Sequence, residues 1–283
     1  MPLDELDLYR YQRFCQFLEQ ACGIVLGENK QYLVRSRLGP LLKTANVASV
    51  NEYIDLIMAG NPKTKSDAIE AMTTNETLWF RDRYPFALLE DVIFPQFSRK
   101  NASIRVWSAA CASGQEAYSI GMTWLEHKAK ASLSRQPNVE IVETDISTDM
   151  LEQCKKGEYD KLAIARGLPL QSQQRYFTAS DNDKLTVKPE LRSLIKFNSI
   201  NLLDSYGSLG KFEIVFCRNV LIYFSKNVKK QILQKIAACL QDDGILFLGA
   251  SESIADLSDQ FIMIRSNIGL YYQKSRSKPT NSH

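Results

Sequence analysis

Histidine is almost missing from this sequence. The 283 residues contain only His127 and His283, and the second is the last residue. This scarcity argues against a metal site built from several histidines and against a catalytic triad that needs a histidine base. The six cysteines are scattered without a C-x-x-C spacing. We therefore predict reduced core cysteines in a cytoplasmic protein, and no metal site.

Long apolar runs and a strong charge excess are also absent. No apolar run approaches the length that spans a bilayer, and the N-terminus, MPLDELDLYR, is acidic and has no apolar segment typical of a signal peptide. Lys and Arg number 35 against 32 Asp and Glu, which is too small an excess for a strong polyanion binder. We expect a cytoplasmic monomer with no membrane insertion and no nucleic-acid partner.

The first 72 residues carry a helical pattern. Apolar residues recur at helical spacing from Tyr11 to Cys22, and Gly23 is a plausible stop. Gly39 and Pro40 predict a break after the second helix. The predicted helices lie at about 11–22, 31–38, 50–58 and 66–72. With no long strand in this part, residues 1–72 are expected to form an all-α domain, followed by a linker and active-site segment at 73–99.

After residue 100, apolar strand segments alternate with helical ones. This alternation predicts a parallel sheet with helices on both faces, in a domain that covers residues 100–275. Residues 157–195 interrupt the rhythm and predict a small inserted antiparallel β-subdomain. The predicted strands are 104–110, 139–145, 195–200, 212–219 and 244–251, with a terminal antiparallel pair at 261–267 and 270–274. The basic tail, 276–283, is expected to be disordered.

Polar residues follow the predicted strands at the edge where open α/β sheets bind ligands. The loop after the first strand has small side chains. Asp145 follows the second strand, where an acid commonly accepts hydrogen bonds from ribose hydroxyls, although it would also cap a helix. Arg218 and Asn219 lie at the end of the fourth strand, and neither residue type belongs in a core. Neither G-x-G-x-x-G nor G-x-x-x-x-G-K-[ST] occurs. A nucleotide-like ligand without phosphates, such as S-adenosylmethionine, is therefore favoured.

Several longer motifs resemble one family. They are TTNETLWFR, VWSAACASGQEAYSIGM, ETDISTDMLEQCKKGEY, FNSINLLD, FCRNVLIYF and FLGASES, in this order from residue 73 to residue 253. They resemble the CheR family of chemotaxis receptor glutamate O-methyltransferases. The resemblance covers the chain from about residue 10 to residue 273. The resemblance implies a helical receptor-recognition domain, a linker, and a Rossmann-like methyltransferase domain with an inserted β-subdomain. It also implies S-adenosylmethionine as cofactor and S-adenosylhomocysteine as product.

The resemblance further implies roles for individual residues. Arg81 and Tyr223 would orient the substrate carboxylate, and Leu78, Trp79 and Phe80 would anchor the active-site segment. Many members have GEEPYS where this chain has GQEAYS, yet the second acid is retained as Glu116. The residues expected to bind the cofactor or line its site are Asn75, Thr77, Arg81, Glu116, Asp145, Asn201, Leu202, Cys217, Arg218 and Asn219.

The implied partners are the cytoplasmic methylation helices of chemoreceptors. Their glutamates are already anionic at neutral pH, so no general base is needed, which agrees with the scarcity of histidine. Four cations and no acid lie between residues 30 and 43, and they predict either a docking face for an acidic helix or a solvated helix face. They are Lys30, Arg35, Arg37 and Lys43. The inserted subdomain is short and glycine-free at TASDNDK, which favours an enzyme independent of a receptor's C-terminal pentapeptide.

Two other function classes compete with this prediction. A methyltransferase of nucleic acids or small molecules would be supported by an NPPY-like motif, but the corresponding strand end reads CRNVLIYF. A non-catalytic sensor or scaffold that holds the cofactor or its product remains an alternative. The presence of Arg81, Glu116, Asp145 and Tyr223 argues against it.

Overall fold

The computed structural model describes residues 5–100, 102–131, 137–180 and 183–276. The chain divides into two compact units. The first comprises residues 1–74 and 223–228, and the second comprises 75–222 and 229–283. Within the described ranges, no helix has both the length and the apolar character needed to cross a membrane. Most of the tail predicted to be disordered, 277–283, and part of the TASDNDK loop, 181–182, lie outside the described residues.

The first unit is helical, as its apolar spacing predicted. Side chains cap three of its helices: Asp7 accepts from the Arg10 amide, Ser49 from that of Glu52, and Asn61 from that of Thr64. Its helices are α1 Leu8–Cys22, α2 Gln31–Leu38, α3 Leu42–Ala45, α4 Val50–Met58 and α5 Pro62–Met72, with a 3₁₀ turn Gly39–Leu41 after α2. The short helix α3 was not predicted.

The segment 223–228 belongs to this helical unit although it is distant in sequence. Ile24 and Phe224 form an antiparallel bridge. The Val25 amide donates to the Tyr223 carbonyl over 2.9 Å. Tyr223 itself is half-buried at the end of a 3₁₀ turn, Leu221–Tyr223.

The second unit contains a seven-stranded sheet and a separate three-stranded sheet. The strands are β1 Ile104–Ala109, β2 Val139–Asp145, β3 Glu158–Tyr159, β4 Phe177–Ala179, β5 Leu185–Val187, β6 Ile195–Ser199, β7 Phe212–Phe216, β8 Leu240–Phe247, β9 Phe261–Arg265 and β10 Leu270–Lys274. The large sheet has the order β6-β2-β1-β7-β8-β10-β9. Its first five strands pair in parallel, and β10 runs antiparallel to β8 and β9. The predicted parallel sheet and terminal antiparallel pair are confirmed.

The small sheet, β3-β5-β4, is antiparallel and forms the predicted inserted subdomain. The helices of this unit are α6 Tyr84–Leu88, α7 Phe94–Lys100, α8 Gln115–Lys130, α9 Thr148–Lys156, α10 Lys161–Ala165, α11 Leu170–Tyr176, α12 Pro189–Arg192 and α13 Lys226–Cys239, the first residues of which belong to the first unit. A π-helical turn, Leu89–Ile93, joins α6 to α7. These helical segments between residues 84 and 100 were not predicted.

Several strand boundaries were predicted wrongly. Strand β7 ends at Phe216 rather than at Asn219, and strand β8 ends at Phe247 rather than at Ser251. Strand β8 begins at Leu240, whereas the apolar pattern placed its start at Gly244. The residues between them, Gln241 to Asp243, are polar, and the pairing of β7 with β8 shifts register between Phe212 and Ile214. Because the start of β8 is polar and its pairing is irregular, the pattern of apolar residues does not reveal where the strand begins.

The buried strands hold the ligand edge of the sheet in place. Val106 lies between Ile141 and Ile214 in neighbouring strands. Trp107 is fully buried, and its Nε1 donates to Thr144 Oγ1 over 2.9 Å. The carboxyl ends of β1 and β2 are therefore joined by a side-chain hydrogen bond as well as by their backbone ladder.

Candidate active site

The loop between β1 and α8 makes a tight turn at the carboxyl edge of the sheet. Ala110, Ala112 and Gly114 all have positive φ, at 55°, 54° and 93°. Residues with a Cβ rarely adopt this conformation. A Cβ on Gly114 would lie 3.0 Å from Tyr159 Oη and 3.1 Å from Cys154 Sγ. The closeness of these atoms and the positive φ favour glycine here, and they place the loop backbone against the side chains of Tyr159 and Cys154.

Asp145 ties this loop to the loop after β2. Its Oδ2 accepts from the Ala112 amide over 2.9 Å, and its Oδ1 accepts from the Ser147 amide over 2.8 Å. The helix cap that the sequence left open is made by Ser147, whose hydroxyl accepts from Met150 N. Asp145 therefore fixes the loop after β1 against the loop after β2 at the carboxyl edge of the sheet.

Arg218 is the centre of a buried charge network. Its Nη1 donates to Glu116 Oε2 over 2.7 Å, and its Nη2 donates to Asp82 Oδ2 over 2.6 Å and to the Arg81 carbonyl over 2.8 Å. Ser108 donates to the other Glu116 oxygen. Burial alone would lower the pKa of Arg218, but Glu116 and Asp82 raise it above its ordinary value. The network therefore joins the end of β7, the start of α8 and the segment after Phe80 with ionised partners.

The segment 75–83 is strained and strongly anchored. Phe80, Asp82 and Arg83 have φ values of 49°, 65° and 54°. Such residues cost of order 1–3 kcal/mol each and persist only where the surroundings fix them. The Phe80 amide donates to Ser119 Oγ over 3.0 Å. Trp79 is buried. Its amide donates to the Arg166 carbonyl, and its Nε1 donates to the Ala163 carbonyl.

Arg81 is half-buried beside this anchor. Its Nη1 donates to the Glu76 carbonyl over 3.2 Å, and the Glu76 carboxylate pairs with Arg166 over 3.1 Å. Among the residues that the structure describes, Arg81 has no carboxylate within ion-pair distance. Its positive charge is thus available to an anionic ligand.

The end of β7 carries a second strained turn. Asn219 has a φ of 58°. Its amide and that of Gly249 donate to the same Glu252 oxygen, over 2.7 and 2.8 Å. Asn219 Oδ1, Glu252 Oε1 and Arg218 Nε are buried without a hydrogen-bond partner. Buried unpartnered polar atoms are costly, so these three atoms are candidates for groups that a bound ligand satisfies.

The other residues expected at the cofactor site lie in the same unit. Thr77, Leu202 and Cys217 are buried, and Asn75 and Asn201 are half-buried. Asn201 Oδ1 accepts from the Leu203 amide over 3.0 Å. Tyr223 differs, because it belongs to the first compact unit.

Sequence reasoning missed two acids: Asp82 of the Arg218 network, and Glu252, which accepts from the strained turn after β7. Asp82 comes directly after the quoted motif TTNETLWFR, and Glu252 lies inside FLGASES. A signal for Asp82 was Arg218, which follows a buried strand and needs carboxylate partners. Glu252 had no comparable signal, because the amides it accepts from belong to the backbone.

Two family models match the chain. The model described as CheR methyltransferase, SAM binding domain, matches residues 75–270, and the one described as CheR methyltransferase, all-alpha domain, matches residues 10–73. The chain belongs to the CheR methyltransferase family. The resemblance carried by the sequence motifs is therefore confirmed.

Curated relatives of this CheR family member cover most of its length. "Chemotaxis protein methyltransferase Cher2" of Pseudomonas putida is 51% identical over 267 residues, which are 93% of this chain and 97% of that protein. "Chemotaxis protein methyltransferase 1" of Vibrio cholerae is 47% identical over 264 residues, covering 93% and 96%. The "Chemotaxis protein methyltransferase" of Salmonella typhimurium is 34% identical over 257 residues, covering 89% and 86%.

The cofactor of this CheR methyltransferase is S-adenosylmethionine, and the residues at the sheet edge fit it. Two acids, Glu116 and Asp82, face the single cation Arg218. The network therefore has one negative charge in excess, which suits the ammonium group at the methionine end of the cofactor. Asp145 ends β2, a position where an acid commonly accepts hydrogen bonds from ribose hydroxyls. Asn219 Oδ1, which is buried without a hydrogen-bond partner, is a further acceptor.

The four cations predicted to dock a receptor helix differ in their surroundings. Lys30 and Lys43 are exposed, and Arg35 is half-buried. Lys30 Nζ lies 5.7 Å from the centroid of the Tyr32 ring. Arg37 donates instead to the carboxyl end of α5, with Nη1 2.8 Å from the Met72 carbonyl and Nη2 3.0 Å from Thr74 Oγ1. Arg37 thus has a structural task, whereas Lys30 and Lys43 extend into solvent.

Proposed function

We propose that this CheR methyltransferase transfers a methyl group from S-adenosylmethionine to glutamate side chains of chemoreceptors in chemotaxis. The products are glutamate methyl esters and S-adenosylhomocysteine. The printed names of its relatives, chemotaxis protein methyltransferases, support the chemotaxis setting. The observation that carries the substrate class is Arg81, a half-buried cation that has no carboxylate partner among the described residues. A substrate carboxylate supplies that missing partner.

The residues of the site act mainly by positioning. S-adenosylmethionine supplies an electrophilic methyl group. A glutamate has a pKa of about 4.3 and is already ionised near neutral pH, so the chain needs no general base. Arg81 and Tyr223 would orient this carboxylate. The Glu76 carbonyl fixes one end of the Arg81 guanidinium, which limits the geometries in which it can hold an anion. Well-oriented reactants can recover on the order of 7–11 kcal/mol of a barrier.

The residues proposed to hold the cofactor differ in their tasks. Glu116, Arg218 and Asp145 hold the charged and hydroxyl groups through the contacts described above. Trp79 and Phe80 keep the active-site segment over the sheet edge and exclude water from it. The remaining proposed cofactor contacts are Asn75, Thr77, Asn201, Leu202, Cys217 and Asn219.

Receptor recognition is proposed for the all-α part, residues 1–72. Lys30, Arg35 and Lys43 would contact an acidic methylation helix. Arg37 would stabilise the domain that carries these cations, through its hydrogen bond to the carboxyl end of α5. The inserted sheet is small, with strands of two to three residues. This size supports methylation that is independent of a receptor's C-terminal pentapeptide. We further propose a cytoplasmic monomer.

The test is transfer of labelled methyl groups to membranes that carry the organism's own chemoreceptors. Methyl esters release methanol in alkali, so base-labile label identifies carboxylate methylation. We expect label with the wild type and a loss of about 100-fold with Arg81→Ala, because misplacing a reacting group costs about this much. Arg99→Ala, an arginine on α7 that donates to its own helix, is the matched control.

Two outcomes would overturn the proposal in different ways. Tight cofactor binding without label on any receptor would favour a sensor of the cofactor or its product. Base-stable label would indicate methylation of nitrogen. Receptors with and without a C-terminal pentapeptide, compared in the same assay, should be labelled equally if docking is pentapeptide-independent.

A further inference from the structure

Three metal-ligating side chains meet beneath the loop that joins β1 to α8. Cys111 Sγ, Cys154 Sγ and a Glu143 carboxylate oxygen all lie within 4.8 Å of one another, and all three residues are buried. Cys154 Sγ is 3.0 Å from Glu143 Oε1 and 3.1 Å from the Ala112 carbonyl oxygen. The two sulfurs, the Glu143 oxygen and the Ala112 carbonyl oxygen therefore lie close together in the interior.

The cluster leaves one polar atom unused. Glu143 is fully buried in β2, and its Oε2 has no hydrogen-bond partner. A buried carboxylate without full hydrogen bonding is expensive to keep in a core. Glu143 and the two cysteines are not among the residues expected to bind the cofactor, so the function proposed above does not explain them.

We propose that Cys111, Glu143 and Cys154 form a binding site for one thiophilic divalent cation of the Zn²⁺ class. Two thiolates and a carboxylate are ligands that Zn²⁺ accepts, and the Ala112 carbonyl is the fourth oxygen at hand. Binding releases the two thiol protons as the sulfurs become thiolate ligands. The site is structural, because its four ligands leave no open position for a substrate.

The separations suit a tetrahedral ion after a small movement. With Zn–S near 2.3 Å and Zn–O near 2.1 Å, neighbouring ligands in a tetrahedron lie roughly 3.4–3.8 Å apart, and a sulfur and an oxygen lie roughly 3.6 Å apart. The Sγ–Oε1 distance of 3.0 Å must therefore open by about half an ångström. The three-atom group already lies within 4.8 Å, so no ligand has to travel far.

An ion at this point would fix the strained cofactor loop. Cys111 and Ala112 lie within the loop, Glu143 in β2 and Cys154 in α9. Ala110 and Ala112 have positive φ, which a rigid cross-link between the three elements would help to maintain. The site is thus a clamp on the backbone that faces the cofactor.

The experiment uses Co²⁺, which reports thiolate ligands and tetrahedral geometry by its absorption. The full chain is produced in cobalt-supplemented medium, so that the buried site loads during folding. We expect about one Co²⁺ per chain, with thiolate-to-cobalt charge-transfer bands, as in metal sites that couple to folding. Cys154→Ser should remove both signals, whereas Cys239→Ser, a buried cysteine in α13, should keep them.

Glu143→Gln guards against a Cys154→Ser variant that does not fold. It preserves shape and removes one charged ligand, so bound Co²⁺ should fall by at least roughly tenfold after dialysis. Wild-type protein that folds, binds cofactor and contains no Co²⁺ would overturn the proposal. Equal Co²⁺ in wild type and Cys154→Ser would do so as well.

Discussion

Arg218 Nη1 and Glu116 Oε2 lie 2.7 Å apart, with the arginine side chain almost fully buried. This pair connects the end of β7 to the first turn of α8 across 102 residues of sequence. The second nitrogen of the same guanidinium holds Asp82 and the Arg81 carbonyl. This side chain therefore links Glu116, a proposed cofactor ligand, to the segment 75–83.

Replacing Arg218 by alanine should destabilise the fold and abolish cofactor binding. Removal of one partner from a buried ion pair costs about 3–5 kcal/mol, because the remaining charges are left uncompensated. The measurement is denaturant unfolding together with calorimetric titration of S-adenosylhomocysteine. Arg276→Ala is the control, since its pair with Asp243 is exposed and should contribute little. An unchanged free energy of unfolding for Arg218→Ala would contradict the network.

Gly167 is expected to tolerate no side chain. It has a φ of 108°, and a Cβ would lie 2.7 Å from the Trp79 carbonyl. Gly167→Ala should displace Trp79 and with it the anchored segment 75–83, which weakens cofactor binding as well as stability. Gly27→Ala is the matched control, because a Cβ there meets nothing within 4 Å. Equal cofactor affinity in the two variants would show that Trp79 does not position the segment.

The large sheet could be predicted from sequence because its strands are buried apolar runs separated by helices. The residues at their carboxyl ends followed, since parallel strands place those ends on one edge. The Arg218 partners could not be predicted in the same way. Asp82 lies 136 residues from Arg218, and no local pattern in the sequence indicates that these two side chains pair. The helical segment 84–100 was missed because its apolar residues include Pro85 and Pro95, which interrupt a helical pattern.

Glu143 should make stability fall as pH rises, in protein kept metal-free by a chelator. Burial raises the pKa of Glu143 to about 7. Between its ordinary pKa and about 7, the folded state binds the proton and the unfolded state does not, so the free energy of unfolding decreases with pH. The slope is at most about 1.4 kcal/mol per pH unit. Glu143→Gln should lack this component, which unfolding curves across the same pH range would reveal. Parallel pH profiles would contradict the burial effect.

Arg37 and Lys43 should separate stability from receptor recognition. Arg37→Ala removes hydrogen bonds to the carboxyl end of α5, so we expect a loss of about 1–3 kcal/mol in stability. Lys43 is exposed, so Lys43→Ala should change the free energy of unfolding by no more than about 0.5 kcal/mol. If the cations dock an acidic receptor helix, Lys43→Glu should raise the KM for receptor with kcat unchanged. Added salt should reduce the difference from wild type, since exposed charges are screened. A KM that is insensitive to both the charge reversal and salt would place receptor docking on another surface.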